Sequence, residues 1–170
     1  MKIIFLIGFM GSGKSTTGKK LAPKLAYDFI DMDAHIEQQE GRLISDIFAK
    51  DGEAYFRALE QKALQSISLK EKVVVSTGGG TPCFFNNMEV INNAGYSVYL
   101  KVEVEKIIGR LKNGTEKRPL VADLSSEELE KQVRERLATR EPFYNKAKMI
   151  YTSDGSANRD VEKLSVIIPQ

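Results

Sequence analysis

Residues 3–16 read Ile3-Ile4-Phe5-Leu6-Ile7-Gly8-Phe9-Met10-Gly11-Ser12-Gly13-Lys14-Ser15-Thr16, five apolar residues running straight into G-x-x-x-x-G-K-S. A short apolar run closed by glycine reads as a buried strand, and Thr16 to Ala26 can continue as a helix. In that setting the glycines let main-chain N–H groups curl around phosphate oxygens, and the positive end of the helix faces the same anion. Lys14 then adds a point charge at the β- and γ-phosphates. The Ser15 hydroxyl supplies a Mg²⁺ ligand, while Gly11, Ser12, Gly13 and Thr16 complete the cradle. A glycine-rich turn matching the pattern by accident would not need a strand before it and a helix after it. The stretch therefore points to nucleotide phosphate chemistry.

A chain of 170 residues with 42% hydrophobic content builds one α/β domain around a single core, so residues 1–170 are expected to form one P-loop unit. Charges nearly balance, 25 basic against 23 acidic, which is not the footprint of a nucleic-acid binder and favours small-molecule partners. A single cysteine, Cys83, excludes an intrachain disulfide and fits a reducing compartment. The apolar run after Met1-Lys2 is too short for a signal peptide, and no other stretch approaches a membrane span. The expectation is a cytoplasmic protein without membrane partners, and nothing demands more than a monomer.

Short apolar runs alternate with amphipathic segments, as in a parallel sheet covered by helices. Strands are expected at residues 2–7, 29–31, 72–76, 97–102 and 149–152. Phe56, Leu59, Ala63 and Ile67 keep helical spacing, as do Leu129, Val133 and Leu137, and these stripes read as core. Residues 112–126 have turn formers and charge but little apolar periodicity, the pattern of a lid or of a solvated connection.

Asp31-Met32-Asp33 closes the second expected strand, and strand alternation would send both carboxylates to one side at the sheet edge where α/β folds bind ligands. One can hold a metal's waters and the other can orient or deprotonate a hydroxyl, unless Asp33 merely caps a helix beginning at Ala34. Ser76-Thr77-Gly78-Gly79-Gly80 follows a buried-strand run. Bare glycine amides there can approach a ligand closely, or form a flexible turn, and either hydroxyl can join a magnesium water shell. Arg57, Arg118 and Arg140 stand out by context, yet each singly reads as a surface ion-pair partner, Arg57 with Glu53 or Glu60 at helical spacing. The lone histidine, His35, suits a solvated or capping role, and Cys83 a small, partly buried place near the site.

Taken together, GlyPheMetGlySerGlyLysSerThr, AspMetAsp, AspIlePheAlaLysAspGlyGluAlaTyrPheArg, SerThrGlyGlyGly, LysArgProLeuVal and ArgGluProPheTyr resemble shikimate kinase in order and approximate spacing over almost the whole chain. The resemblance implies the nucleoside-monophosphate-kinase type of P-loop fold, a five-stranded parallel sheet with helices on both faces and a mobile lid. It implies a substrate-binding helical segment at about 33–61 and transfer of the ATP γ-phosphate to the 3-hydroxyl of shikimate, giving shikimate 3-phosphate and ADP. Matched position by position, Asp33, Arg57 and Arg140 fall on shikimate contacts, with Gly79 and Gly80 offering amides. Lys14, Ser15 and Asp31 fall on nucleotide and magnesium positions, Arg118 on the lid arginine and Arg110 on an adenine-side arginine. Many relatives carry a proline-containing adenine loop after the last strand, whereas residues 152–160 contain no proline, which leaves residues 153–159 as candidate adenine contacts.

In the implied mechanism Lys14, Arg118, Mg²⁺ and the loop amides supply positive charge, Arg57 and Arg140 hold the acceptor by its carboxylate, and Asp33 orients or deprotonates the hydroxyl. Two alternatives share the P-loop: a kinase for another small metabolite or a nucleoside monophosphate, and a module that binds nucleotide without transferring phosphate.

Overall fold

The computed structural model describes residues 3–113 and 124–169. Five strands form one parallel sheet in the order β2-β3-β1-β4-β5: β1 (Ile3–Ile7), β2 (Asp28–Asp31), β3 (Val73–Ser76), β4 (Tyr96–Lys101) and β5 (Met149–Thr152). The expected strands are all present, with bounds moved by one residue at three of them; of the first, Lys2 lies outside the described residues. All five residues of β1 are buried, because the central strand is covered on both faces. Alternation divides them between two layers. Ile3, Phe5 and Ile7 join a core with Met32, Ile47, Phe56, Leu64 and Ile91, while Ile4 and Leu6 join Leu21, Val74, Val98, Leu100 and Leu164 on the other face.

The covering helices are α1 (Lys14–Lys24), α2 (Met32–Glu40), α3 (Ile44–Ile67), α4 (Asn87–Ala94), α5 (Val104–Lys112), α6 (Ser126–Tyr144) and α7 (Ala157–Ile167). The first core lies under α2, α3, α4, α5 and α6, and the second under α1 and α7. α1 starts two residues earlier than expected, at the end of the glycine loop. It stops at Lys24, after Pro23, and Ala26 at φ 56 turns the chain back toward β2. α3 is broken at Gly52 (φ 81, ψ 175), which separates the turn carrying Phe48 from the stripe of Phe56, Ala63, Leu64 and Ile67. Of the segment 112–126, Lys112 closes α5 and Ser126 opens α6, where Ser125 and Glu128 form a reciprocal capping box. Residues 114–123, Arg118 among them, lie outside the described residues.

Because every strand is parallel, β1, β2 and β3 deliver their C-terminal ends to one edge. The glycine loop, Asp31 and the Thr77-to-Gly80 segment therefore meet there, which is where parallel α/β sheets bind ligands.

Candidate active site

The loop between β1 and α1 owes its shape to Gly11 (φ 75) and Gly13 (φ 91), conformations that side-chain-bearing residues rarely adopt. Gly13 precedes α1 without any side-chain cap, so no side chain competes for the first-turn N–H groups. Lys14 is buried, and its Nζ donates to Phe9 O at 2.9 Å across the inside of the loop. Beside it opens a cavity of about 370 Å³, lined by Gly11, Gly13, Thr16, Arg110, Gly155 and Asp160 among others. Arg110 Nη1 donates to Gly11 O at 2.6 Å and Nη2 to Gly155 O at 2.8 Å, tying the glycine loop to the segment after β5. That segment is built without proline. Ser153 Oγ donates to Asp160 at 2.5 Å and accepts from Gly155 N at 3.0 Å, and Gly155 takes φ 91 where a Cβ would approach Arg110 to 2.9 Å.

Strand register places Asp31 beside Ser76 at the end of the β2–β3 pair, and Ser15 reaches both: it donates to Asp31 Oδ2 and lies 3.1 Å from Ser76 Oγ. The two aspartates reach the site by a route that strand alternation does not describe. β2 ends at Asp31, and α2 begins at Met32. The residue that caps this helix is Asp31, whose Oδ1 accepts from Asp33 N at 3.1 Å and Ala34 N at 3.2 Å, so the capping role weighed for Asp33 belongs to its neighbour. Asp33 sits in the first helical turn, and both carboxylates line the same space.

A second cavity of about 510 Å³ lies on the far side of these carboxylates. Asp33, Arg57, Glu60, Gly79, Gly80 and Arg140 supply its polar wall, and Met10, Ile44, Phe48 and Phe56 its apolar one. Arg57 is an ion-pair partner, as its spacing predicts, but a buried one: 6% of its surface is exposed. It donates through Nε and Nη2 to Glu53 at 3.2 and 3.1 Å and through Nη1 to Glu60 at 2.5 Å, and it stacks 4.0 Å from the Phe84 ring centroid. Glu60, itself buried, accepts from Thr81 Oγ1 at 2.5 Å. The three glycines after β3 make room for this network. A Cβ at Gly80 would sit 2.5 Å from Arg57 Nη1, one at Gly78 2.7 Å from Glu60 and 3.0 Å from Asp33, and one at Gly79 3.4 Å from Arg140. A flexible turn would not require such close approach.

The two cavities meet at a small pocket of about 30 Å³ lined by Lys14, Ser15, Asp31, Asp33, Thr77 and Gly79. Cys83 stands half-buried near Arg57, Glu60 and Arg140. Burial pushes its thiol up to about 11, against the lowering influence of Arg140 and Arg57, which favours the thiol over the thiolate.

The shikimate kinase family model matches residues 10–168. The chain belongs to the shikimate kinase family. Shikimate kinase from Azobacteroides pseudotrichonymphae is 51% identical over 152 residues, covering 89% of each chain. The enzyme from Phocaeicola vulgatus is 47% identical over 154 residues, covering 91% of this chain and 88% of its own. Among solved structures, shikimate kinase from Bacteroides thetaiotaomicron superposes with a TM-score of 0.90 at 38% identity, covering 96% of each chain. The Acinetobacter baumannii enzyme, solved in complex with shikimate, does so at 0.88 and 34% identity, covering 96% of this chain and 90% of its own.

Shikimate kinase residues singled out from the sequence divide into two groups at this edge. Gly11, Ser12, Gly13, Thr16 and Arg110 line the first cavity, and Asp33, Arg57, Gly79, Gly80 and Arg140 the second, with Lys14, Ser15 and Asp31 at the junction. Arg118 is outside the described residues. Sequence reasoning gave no role in the site to Glu37, Phe48, Phe84 or Tyr144 and treated Glu60 only as a partner for Arg57. The i to i+3 spacing of Arg57 and Glu60 was the available signal; burial and the Thr81 contact, 21 positions away, are products of the fold. Among the described residues no cluster of three or more His, Cys, Asp or Glu forms a resident metal centre. The Ser15, Asp31 and Ser76 oxygens are nevertheless the hard donors that suit Mg²⁺, which binds through one or two carboxylates plus waters and substrate phosphates. No helix among the described residues is long and apolar enough to cross a membrane.

Proposed function

We propose that the two adjoining cavities are the ATP and shikimate sites of a kinase that transfers the γ-phosphate to the shikimate 3-hydroxyl, yielding shikimate 3-phosphate and ADP. The observation that carries this reading is the junction. Lys14, Ser15, Asp31 and Asp33 line the space between the glycine-loop cavity and a cavity walled by two guanidinium groups. A carboxylate acid with ring hydroxyls matches the second cavity, because Arg57 and Arg140 can grip its carboxylate while Asp33 accepts from a hydroxyl.

The chain's own residues then divide the work. The loop amides and the N-terminal end of α1 hold the β- and γ-phosphates, and Lys14 leaves Phe9 O to follow the transferring group. Ser15 and Asp31, with Ser76 behind them, are the residues that would hold Mg²⁺, directly or through its waters. Bound there, the ion neutralises charge on the phosphate oxygens. Arg57 and Arg140 fix the acid so that its hydroxyl points in line, and Asp33 orients that hydroxyl and takes its proton. Arg110 supports the adenine side by joining Gly11 to the segment after β5. Arg118, in the lid at about 112–126, adds charge at the phosphates and helps to exclude water. We read the chain as one kinase domain, with α2 and the first part of α3 as the substrate-binding segment, acting as a cytoplasmic monomer with neither nucleic acid nor membrane as partner.

A coupled ADP-release assay with Mg·ATP and a panel of shikimate, gluconate and nucleoside monophosphates tests the reading. Shikimate alone should raise ADP release above background, and removal of Mg²⁺ should abolish it. Release that is equal with and without shikimate, or that responds to a nucleoside monophosphate instead, overturns the assignment.

A further inference from the structure

Tyr144 is the last residue of α6, one helical turn beyond Arg140, and it is fully buried. Its Oη donates to Gly79 O at 2.5 Å, joining α6 to the glycine segment 65 positions earlier in the chain. Its ring packs against Tyr99 on β4 with centroids 5.1 Å apart, so the hydroxyl is held from behind by a strand of the sheet. Burial drives the phenol pKa upward, against the lowering influence of the neighbouring Arg140 guanidinium.

The bond acts on the peptide between Gly79 and Gly80. That unit is planar and trans, so its C=O and N–H point in opposite directions. Fixing the carbonyl on Tyr144 turns the Gly80 N–H away from α6. Neither the Gly79 nor the Gly80 N–H has a hydrogen-bond partner among the described residues, although both residues line the acceptor cavity. A three-glycine segment has wide conformational freedom, and nothing in its own side chains could select one orientation of this peptide. The segment also runs against both arginines: a Cβ at Gly79 would lie 3.4 Å from Arg140 Nη1 and one at Gly80 2.5 Å from Arg57 Nη1.

We propose that Tyr144 is a positioning residue for the acceptor: it locks the Gly79–Gly80 peptide so that the Gly80 N–H and the two arginines converge on the carboxylate-bearing substrate. The proposal rests on reading this cavity as the shikimate site. A residue serving only to stabilise the fold would affect both substrates alike or neither, whereas a peptide clamp affects the acceptor alone.

The test is the Tyr144→Phe variant of the full chain, which keeps the ring and its packing against Tyr99 and loses only the hydroxyl. Steady-state kinetics with each substrate varied in turn, calorimetric titration with shikimate and a thermal melt are compared with wild type. The KM and Kd for shikimate should rise about tenfold, as expected for losing one hydrogen bond to a buried carbonyl, with kcat within about twofold and the KM for ATP unchanged. A variant whose melting temperature falls while its shikimate KM stays at the wild-type value would show a prop and overturn the clamp, as would an equal rise in both KM values. Wild-type protein that neither binds nor phosphorylates shikimate would overturn the assignment of the cavity, and the clamp with it. Wild-type activity beside an unchanged variant overturns the clamp alone.

Discussion

Asp31 and Asp33 carry the same functional group two positions apart and stand in different surroundings because one ends a strand and the other lies in the first turn of a helix. Asp31 is committed on both oxygens, to Ser15 on one and to the first-turn amides of α2 on the other. Asp33 borders the second cavity, which Arg57 and Arg140 also line. Asp31→Asn should raise the Mg²⁺ concentration needed for activity, because an amide attracts a hydrated cation less well than a carboxylate. Its remaining carbonyl oxygen can still cap α2, so the melting temperature should change little. Asp33→Asn should leave the Mg²⁺ requirement in place and depress turnover, since an amide can touch a hydroxyl but cannot take its proton. Magnesium titrations of the two variants check this division of labour; identical shifts would show that the roles are wrongly assigned.

The second cavity is walled by α2, the kinked α3, the glycine segment after β3 and α6, with Met10 of the glycine loop. Arg57 lines this cavity while bonded to the buried Glu60, and Arg140 lines it from α6. Arg57→Ala and Arg140→Ala should each weaken shikimate by about 2 to 5 kcal/mol while ATP affinity holds. Only Arg57→Ala should also lose stability, by about 3 to 5 kcal/mol, because it strands a buried carboxylate. Gly80→Ala, with a methyl placed 2.5 Å from Arg57 Nη1, should mimic the binding defect of Arg57→Ala although the arginine remains. Calorimetry with each ligand and urea unfolding of the three variants separate these effects. A Gly80→Ala protein that binds shikimate normally would mean that Arg57 has other room. At this scale the sequence was legible in part. The run of glycines announced close approach, and what approaches them within the fold is Arg57, Glu60 and Arg140. No local pattern could say so, because these side chains come from α3 and α6.

For the molecule as a whole, the alternation of apolar runs with amphipathic segments was sufficient for the parallel sheet, since its central strands are covered on both faces and read as apolar runs, as β1 and the three valines of β3 do. Strand bounds moved by single residues, as at Tyr96 and Val73, because main-chain pairing and not hydropathy sets where a strand ends. The glycine loop was legible down to Lys14 because its chemistry demands fixed residue types at fixed spacing. Burial of Arg57 was not, because a charged residue on an amphipathic helix faces solvent unless distant segments close over it, as Phe84 and Thr81 do here. What the sheet finally accomplishes is to bring two cavities to one edge with Lys14, Ser15, Asp31 and Asp33 between them. The most direct measurement of that claim is phosphorus and proton NMR of the products formed by the purified protein from Mg·ATP and shikimate. The account predicts one phosphate monoester at the 3-hydroxyl for each ADP released; ADP accompanied by inorganic phosphate, or an ester at another ring position, would contradict it.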